Sequence, residues 1–580
     1  MLDALVIGSG AGGMTAALCL AQAGERVLVL EQHYVPGGWC HSFTRGGYRF
    51  SPGVHYVGEL GPGARVRRYY EGLGVANDLE FFQLQPRGYE RVLVGHDPAG
   101  FLPGGAGRFD YPVGREALVE ACVARFPAHA RGVRRYHGTL ARLAAQLPAL
   151  VSARGPLDAL LLPWRARTIL RHGLGSLARL QRRDLPDPLL RTFLSAQAGD
   201  YALPPSRACA LLHAALADHY VDGGWYPRGG GFALPRAFLR ALRRAGGELR
   251  LSARVEEILC EGRPGALRAF GVRLADGTEL RARRVISNAD PQVTFDLVGR
   301  ERLSAALRRK LCQTRWSVSM LSLFLAVDMD LRAAGLDSGN VWWSAGSDPE
   351  GPYTLGACPR AFEAAGPQGL FLTATTLKDP TKHARGHHLL EAFCVAPSEP
   401  FRRFANAAPG ARGQEYEALK ARWTARMLEV IERIVPGVRE RVVFAELGTP
   451  LTNTHYVNAT AGSVYGTEKT LRQLAGPGGW GPDTEVEGLH LCGASTLGHG
   501  VVGATRSGLA LARRLLGVRS EELLRHGSGQ ALRTWAADDP SGWPEELVRA
   551  AARARRAPAE HHALAEAEGA EAEGAVGARP

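Results

Sequence analysis

The sequence predicts an α/β fold, and three observations near its start carry that prediction. An apolar run of strand length, Ala4-Leu5-Val6-Ile7, ends at Gly8. Gly8, Gly10 and Gly13 then stand at G-x-G-x-x-G spacing. A helix-patterned run from Met14 to Ala23 follows, stopped by Gly24, and a second strand, Arg26 to Leu30, delivers Glu31. The first glycine permits the tight turn, the second lets a pyrophosphate approach the backbone, and the third lets helix and strand pack closely. Ser9, Ala11, Gly12 and Met14 complete the loop and the helix start, whose free N–H groups and positive end face an anion. Glu31 stands where a carboxylate accepts the ribose hydroxyls of an adenosine. A glycine loop alone is weak evidence. Strand, glycines, helix, strand and acid in this order make a dinucleotide site.

The chain has 580 residues, enough for two domains. Apolar content of 45% and charged content of 22% are those of a soluble globular protein. Its nine cysteines are scattered without a C-x-x-C pair, which points to unpaired thiols in a reducing cytoplasm rather than a zinc site or a disulfide framework. The first strand begins at about residue 3, so no cleavable leader is expected. No apolar run approaches the roughly 18 residues of a membrane span. The net charge of +13 comes mostly from arginine. No zinc knuckle, aromatic RNA-binding signature or lysine-rich arm accompanies it, and nucleic acid is set aside as a partner.

Gly37-Gly38 follow Glu31 closely and lead into Trp39-Cys40-His41-Ser42-Phe43. This glycine pair resembles the large flavoprotein superfamily that includes amine oxidases, carotenoid desaturases and the Rab dissociation inhibitors. In that group the pair passes close beside the flavin, so the resemblance implies FAD as the tightly held cofactor. Glu31-Gln32-His33, the segment Gly37 to Phe43, and Gly53-Val54-His55-Tyr56-Val57-Gly58 look like the retinol saturase branch of the carotenoid desaturase and isomerase family. Trp39 occupies the place where bacterial desaturases usually carry an arginine, which leans the chain toward saturase and isomerase chemistry.

Further along, a strand at Val255 and a hairpin around Asp276-Gly277 lead to Ser287-Asn288-Ala289-Asp290. The order resembles the family's return to the FAD domain, with Val255 on the adenine side and Asn288 and Asp290 at the cofactor. Late in the chain a strand ends at Gly493-Ala494, a loop carries Gly498, Gly500 and Gly503, and a helix follows. The resemblance puts Gly493 near the pyrophosphate and Val502-Gly503 against the pyrimidine end of the flavin. It implies a Rossmann-like FAD domain from residues 1–85, 225–297 and 445–520, interleaved with a mixed sheet-plus-helix substrate domain from 86–224 and 298–444. An extension, 521–580, ends in an Ala/Glu/Arg-rich tail expected to be partly helical or disordered.

Leu157 to Arg183 carries an apolar stripe bordered by arginines and edged by Trp164. That is the pattern of a helix at a membrane interface, and also of a helical cap on its own core; a lipid substrate tips the reading to an anionic membrane surface. His383, His387 and His388 are read as a solvated loop, not a metal site. Within the family, His55 and Tyr56 are the candidate polar groups beside the flavin ring. The expected activity is reduction or isomerisation, ahead of desaturation, of a carbon–carbon double bond in a retinoid- or carotenoid-like polyene. With no second G-x-G-x-x-G unit, electrons are expected to come from or leave to an external carrier, for which NAD(P) is a candidate. Two other readings stand beside this one: a non-catalytic lipid binder like the Rab dissociation inhibitors, and a flavin amine oxidase. The intact glycine set argues against the first. The late loop, Ala494 to Gly503, holds no cysteine for covalent flavin attachment.

Overall fold

A computed structural model describes residues 1–152, 156–474, 476–527 and 529–556. Two seven-stranded sheets dominate it. In the first, Leu2–Ile7 lies between Val27–Leu30 and Glu279–Ser287, parallel to both, with Glu248–Arg250 and Leu489–Leu491 outside them. Its strand Leu2–Ile7 is buried from Ala4 onward, as a continuous apolar run between two helical layers must be. The antiparallel hairpin Val255–Arg263 and Ala266–Leu274 extends the sheet from the far end of Glu279–Ser287.

Helices Ala11–Gln22 and Gly500–Leu516 pack on one another over this sheet. They approach so closely that a β-carbon on Gly508 would stand 2.3 Å from the Gly12 carbonyl oxygen. A loop segment beginning at Gly493 therefore arrives beside the glycine loop that opens the chain.

The second sheet runs Val442–Gly448, Ser319–Val327, His388–Ala396, Gly369–Ala374, Asn340–Ser344, Glu90–Val94 and Arg108–Tyr111. All its pairs are antiparallel except Asn340–Ser344 with Glu90–Val94. One face packs on helix Gln414–Ile434 through Trp423, Met427 and Ile431. A cap of helices, among them Arg115–Arg125, Leu177–Asp184 and Ala210–His219, is centred on Tyr136, Leu143 and Phe193.

Past residue 520 the described chain is ordered into the fold. Arg533–Ala536 pairs in parallel with Glu80–Gln83, and Glu545–Arg556 packs on the turn Pro380–Lys382. Ala551 to Arg556, expected to begin the tail, close that helix, and the rest of the tail lies outside the described residues. The histidine loop also needs correcting. His383 is buried at 4% exposure with its ring against His388, which begins strand His388–Ala396. The segment is a loop, turning at Arg385-Gly386 between Ala384 and His387, but His383 packs inward instead of facing water. Among the described residues no group of metal-ligating side chains forms.

Candidate functional site

Helix Ala11–Gln22 begins at Gly10 without a side-chain cap, so the N–H groups of its first turn have no partner within the helix. Gly13 gives its N–H to Asn288 Oδ1 at 2.9 Å, while Ala11 lines the cavity beside it. Space here is tight enough to exclude side chains. A β-carbon would stand 2.6 Å from Asn288 Nδ2 at Gly10, 2.7 Å from Asn288 Oδ1 at Gly12 and 2.3 Å from the Gly8 carbonyl oxygen at Gly13. Helix Gly500–Leu516 also starts without a side-chain cap, and Gly500, Val501 and Ala504 line the same cavity. Two positive helix ends thus open on one space, where they favour phosphate on one side and negative charge on a ring on the other.

Glu31 ends its strand at this loop. Its Oε2 accepts from the Ser9 N–H at 2.9 Å and the Ser9 hydroxyl at 2.6 Å, and Oε1 accepts from the His33 N–H at 3.0 Å. Oε2 is thereby filled, and Oε1 retains a further lone pair for a ribose hydroxyl. The Gly37 N–H donates to Ser9 Oγ at 2.9 Å, tying the glycine pair to the loop. Gly37 and Gly38 take φ of 120° and 55°, left-handed values natural for glycine, and a β-carbon on Gly38 would stand 3.3 Å from Gly10 Cα.

Of the residues singled out from sequence, Gly10, Ala11, Gly37, Gly38, Trp39, His55, Tyr56, Asn288, Asp290 and Ala494 line the cavity. Gly8, Gly12 and Gly493 press against Asn288, and Gly503 packs on Gly498 inside the late turn. Met14 is buried in the core, Val502 is in the first turn of its helix, and Gln32 is half-buried after Glu31. Val255 is buried with Leu28 and Leu30 behind the Glu31 strand. Asp290 is held by the Ser495 hydroxyl at 2.8 Å and the Thr460 N–H at 3.0 Å, with burial raising its pKa.

From these helix ends the cavity continues beneath the second sheet. Its empty volume, open mouth included, is about 1930 Å³. Trp342, Phe371 and Phe393 form an aromatic wall, with Met320 and Tyr465 nearby. The His55 ring lies 4.5 Å from Phe393, centroid to centroid, and its Nδ1 is 3.2 Å from Glu391 Oε2. Burial holds the imidazole below its ordinary pKa, against the pull of Glu391. Tyr56 stacks on Tyr220 at 4.4 Å and donates to Asp200 Oδ2 at 2.7 Å.

Sequence reading missed a buried polar layer behind this wall. Lys378 is fully buried and donates to the His55 carbonyl oxygen at 2.7 Å and to Asn340 Oδ1. Glu391 is fully buried and accepts from the Ser51 N–H at 2.9 Å; Lys382 stands 3.9 Å from it. Burial pushes the Lys378 ammonium down to about 7. At the start of the late loop Lys469 donates to the Ala494 carbonyl oxygen at 2.6 Å and is likewise lowered by burial to about 7. One signal was available: Glu391 interrupts the apolar strand Leu389-Leu390-Glu391-Ala392-Phe393, where a lone acid has to be paired.

A βαβ dinucleotide cradle opening into an aromatic-walled slot under a second sheet defines an oxidoreductase of the flavoprotein class. The chain belongs to the flavin containing amine oxidoreductase family, whose model matches residues 11–516. It is similar to all-trans-retinol 13,14-reductase of Rattus norvegicus, 29% identical over 533 residues that cover 89% of this chain and 86% of that one. It is also similar to the chloroplastic prolycopene isomerase of Arabidopsis thaliana, 26% identical over 540 residues that cover 89% of this chain and 82% of the relative. Among solved structures, an oxidoreductase from Methanosarcina mazei superposes with a TM-score of 0.58 at 19% identity, covering 88% of this chain and 99% of that one. That likeness shows the fold alone.

Proposed function

We propose that this chain is a FAD-dependent oxidoreductase that reduces a carbon–carbon double bond of a hydrophobic polyene, a retinoid- or carotenoid-like lipid. The carrying observation is one continuous cavity with two uncapped helix starts at one end and Trp342, Phe371 and Phe393 along its wall. The similarity to a retinol reductase and a prolycopene isomerase over most of the chain supports the substrate class.

The residues fit FAD. Gly8, Gly10, Gly12 and Gly13 keep the loop free of side chains so that backbone can approach the pyrophosphate, Glu31 serves the adenosine, and Gly37-Gly38 with Trp39 border the ring. Asn288, Gly493 and Ala494 border the phosphates, and Val502-Gly503 put a positive helix end near the ring. Bound there, FAD supplies or accepts the hydride. His55 and Tyr56 act at the reacting double bond. The aromatic wall orients the polyene and keeps water away. Free NAD(P)H serves as the external electron donor.

We further place the protein peripherally on the cytoplasmic side of an anionic membrane. Among the described residues no helix is long and apolar enough to cross one. Leu160 and Trp164 are 75% and 73% exposed, with Leu170 and Leu174 exposed nearby and Arg167 and Arg171 beside them. Such an amphipathic surface suits interfacial binding. Lipid extracts from carotenoid-producing cells expressing the protein test the function. Products heavier by two hydrogens, absent with Gly10→Val, are expected; unchanged lipid with flavin-loaded protein present would refute it.

A further inference from the structure

Two acids beside the cavity have no part in cofactor binding. Glu90 opens strand Glu90–Val94 and is fully buried. Asp200 ends the turn Ala196–Asp200 and lines the cavity. The Tyr56 hydroxyl donates to Asp200 Oδ2 at 2.7 Å, and Asp200 and Glu90 lie close enough for the charge of one to act on the other. Trp342 Nε1 donates to Glu90 Oε2, and Glu90 Oε1 meets no donor among the described residues.

The placement of Asp200 is fixed from behind. His499 donates from Nε2 to the Asp200 carbonyl oxygen at 2.7 Å, and the Tyr465 hydroxyl donates to the Gly199 carbonyl oxygen at 3.1 Å. His499 is the residue that begins helix Gly500–Leu516. The acid therefore hangs from the helix start that faces the cofactor end of the cavity.

Charge balance says what state these acids take. Lys378 and Lys382 are buried beside Glu391 and Asp379, so acidic and basic side chains are already matched in number there. Ionising both Glu90 and Asp200 would add two more negative charges to a space shielded from water, with Lys378 the basic group facing Glu90. The other groups facing the pair, Tyr56, Tyr89, Tyr220, Tyr353 and Tyr465, are neutral phenols. Two carboxyls so placed keep a proton. Burial pushes both carboxyls above their ordinary range, and the charge of Asp200 adds to the rise of Glu90.

Building on the polyene reading, we propose that Glu90 and Asp200 hold a proton between them and that Tyr56 passes it to the polyene carbon that does not receive hydride. The step balances. The carbon–carbon π bond opens; one carbon gains hydride, with its electron pair, from the reduced flavin. The other forms a C–H bond to the Tyr56 proton as the O–H bond breaks. The phenolate takes the Asp200 carboxyl proton, and the pair regains one from water. Tyr56 is the catalytic donor; Asp200 and Glu90 are positioning residues that set its proton supply.

Infrared titration of flavin-loaded, substrate-free protein tests the pair without turnover. A protonated carboxyl carbonyl band should persist at neutral pH in the wild type and titrate at lower pH in Glu90→Gln, because Asp200 then loses its like-charged neighbour. Asp200→Asn gives the same comparison should Glu90→Gln fail to fold. Absence of the band at neutral pH, or its survival unchanged in both variants, overturns the proposal. In single turnover, Tyr56→Phe should retain flavin and slow product formation about 100-fold, and the alkaline limb of the rate should move to lower pH in Glu90→Gln. An unmoved limb overturns the proton supply. Wild-type protein that shows the band but reduces no polyene overturns the polyene reading and the transfer step with it. Polyene reduction without the band overturns the pair alone.

Discussion

The two ends of the cavity are built by opposite means. At the dinucleotide end the work falls to backbone: uncapped helix starts, a glycine pair at left-handed φ, and a loop in which a single β-carbon on Gly10 would stand 2.6 Å from Asn288 Nδ2. Beneath the second sheet it falls to side chains, with Glu90, Asp200, Lys378 and Glu391 drawn from distant parts of the chain. Backbone contacts bind a phosphate whatever the reaction. The buried charges concern the proton, and so belong to the reaction itself.

The first region should break under the smallest change. Gly10→Val is expected to abolish flavin retention and leave colourless protein, since the added atoms occupy the approach to the pyrophosphate. In the wild type, acid precipitation should release the yellow chromophore to the supernatant; colour staying in the pellet would mean covalent attachment. Asn288→Ala removes the acceptor of the Gly13 N–H. A lost buried partner costs on the order of 1–3 kcal/mol, so flavin affinity should fall by roughly 5-fold to 150-fold, read by equilibrium fluorescence.

The second region should respond to pH instead. Burial and the nearby charge of Asp200 raise the folded pKa of Glu90 well above its ordinary 4.5. As pH rises, the unfolded chain releases this proton first, so the group's contribution to stability declines between the ordinary and the raised pKa. Glu90→Gln lacks that decline. Its melting temperature relative to wild type should therefore climb across this window and level off above it. A difference independent of pH would mean that Glu90 is ionised in the fold.

This contrast also governs what could be read before the structure. Gly8, Gly10, Gly13, Glu31 and Gly37-Gly38 sit close together in sequence because a helix start and its turn are local objects. Asn288 and Gly493 were reachable through the resemblance, and the register of Glu279–Ser287 with Leu2–Ile7 and Leu489–Leu491 explains why they arrive there. Glu90, Asp200 and Lys378 obey no spacing rule, since their meeting depends on which strands lie side by side. Asn340–Ser344 pairs in parallel with Glu90–Val94, which brings Trp342 to Glu90. His383 was misjudged in its burial alone: it is a loop residue, but its ring packs on His388 instead of facing water.

The smallest effect is expected at the surface. Burying an exposed leucine or tryptophan side chain is worth roughly 1.5–3 kcal/mol, against about 1 kcal/mol per arginine near anionic lipid. Trp164→Ser combined with Leu160→Ser should weaken sedimentation with anionic liposomes more than a moderate rise in salt does. Binding that vanishes with salt yet ignores these substitutions would assign attachment to the arginines alone.

Anaerobic single turnover, with pre-reduced enzyme and a retinoid or carotenoid, addresses the central claim most directly. Flavin that reoxidises in step with a product heavier by two hydrogens is the predicted result. Unchanged mass with the flavin still reduced would make the protein an isomerase. A product lighter by two hydrogens, formed from oxidised enzyme, would contradict reduction outright.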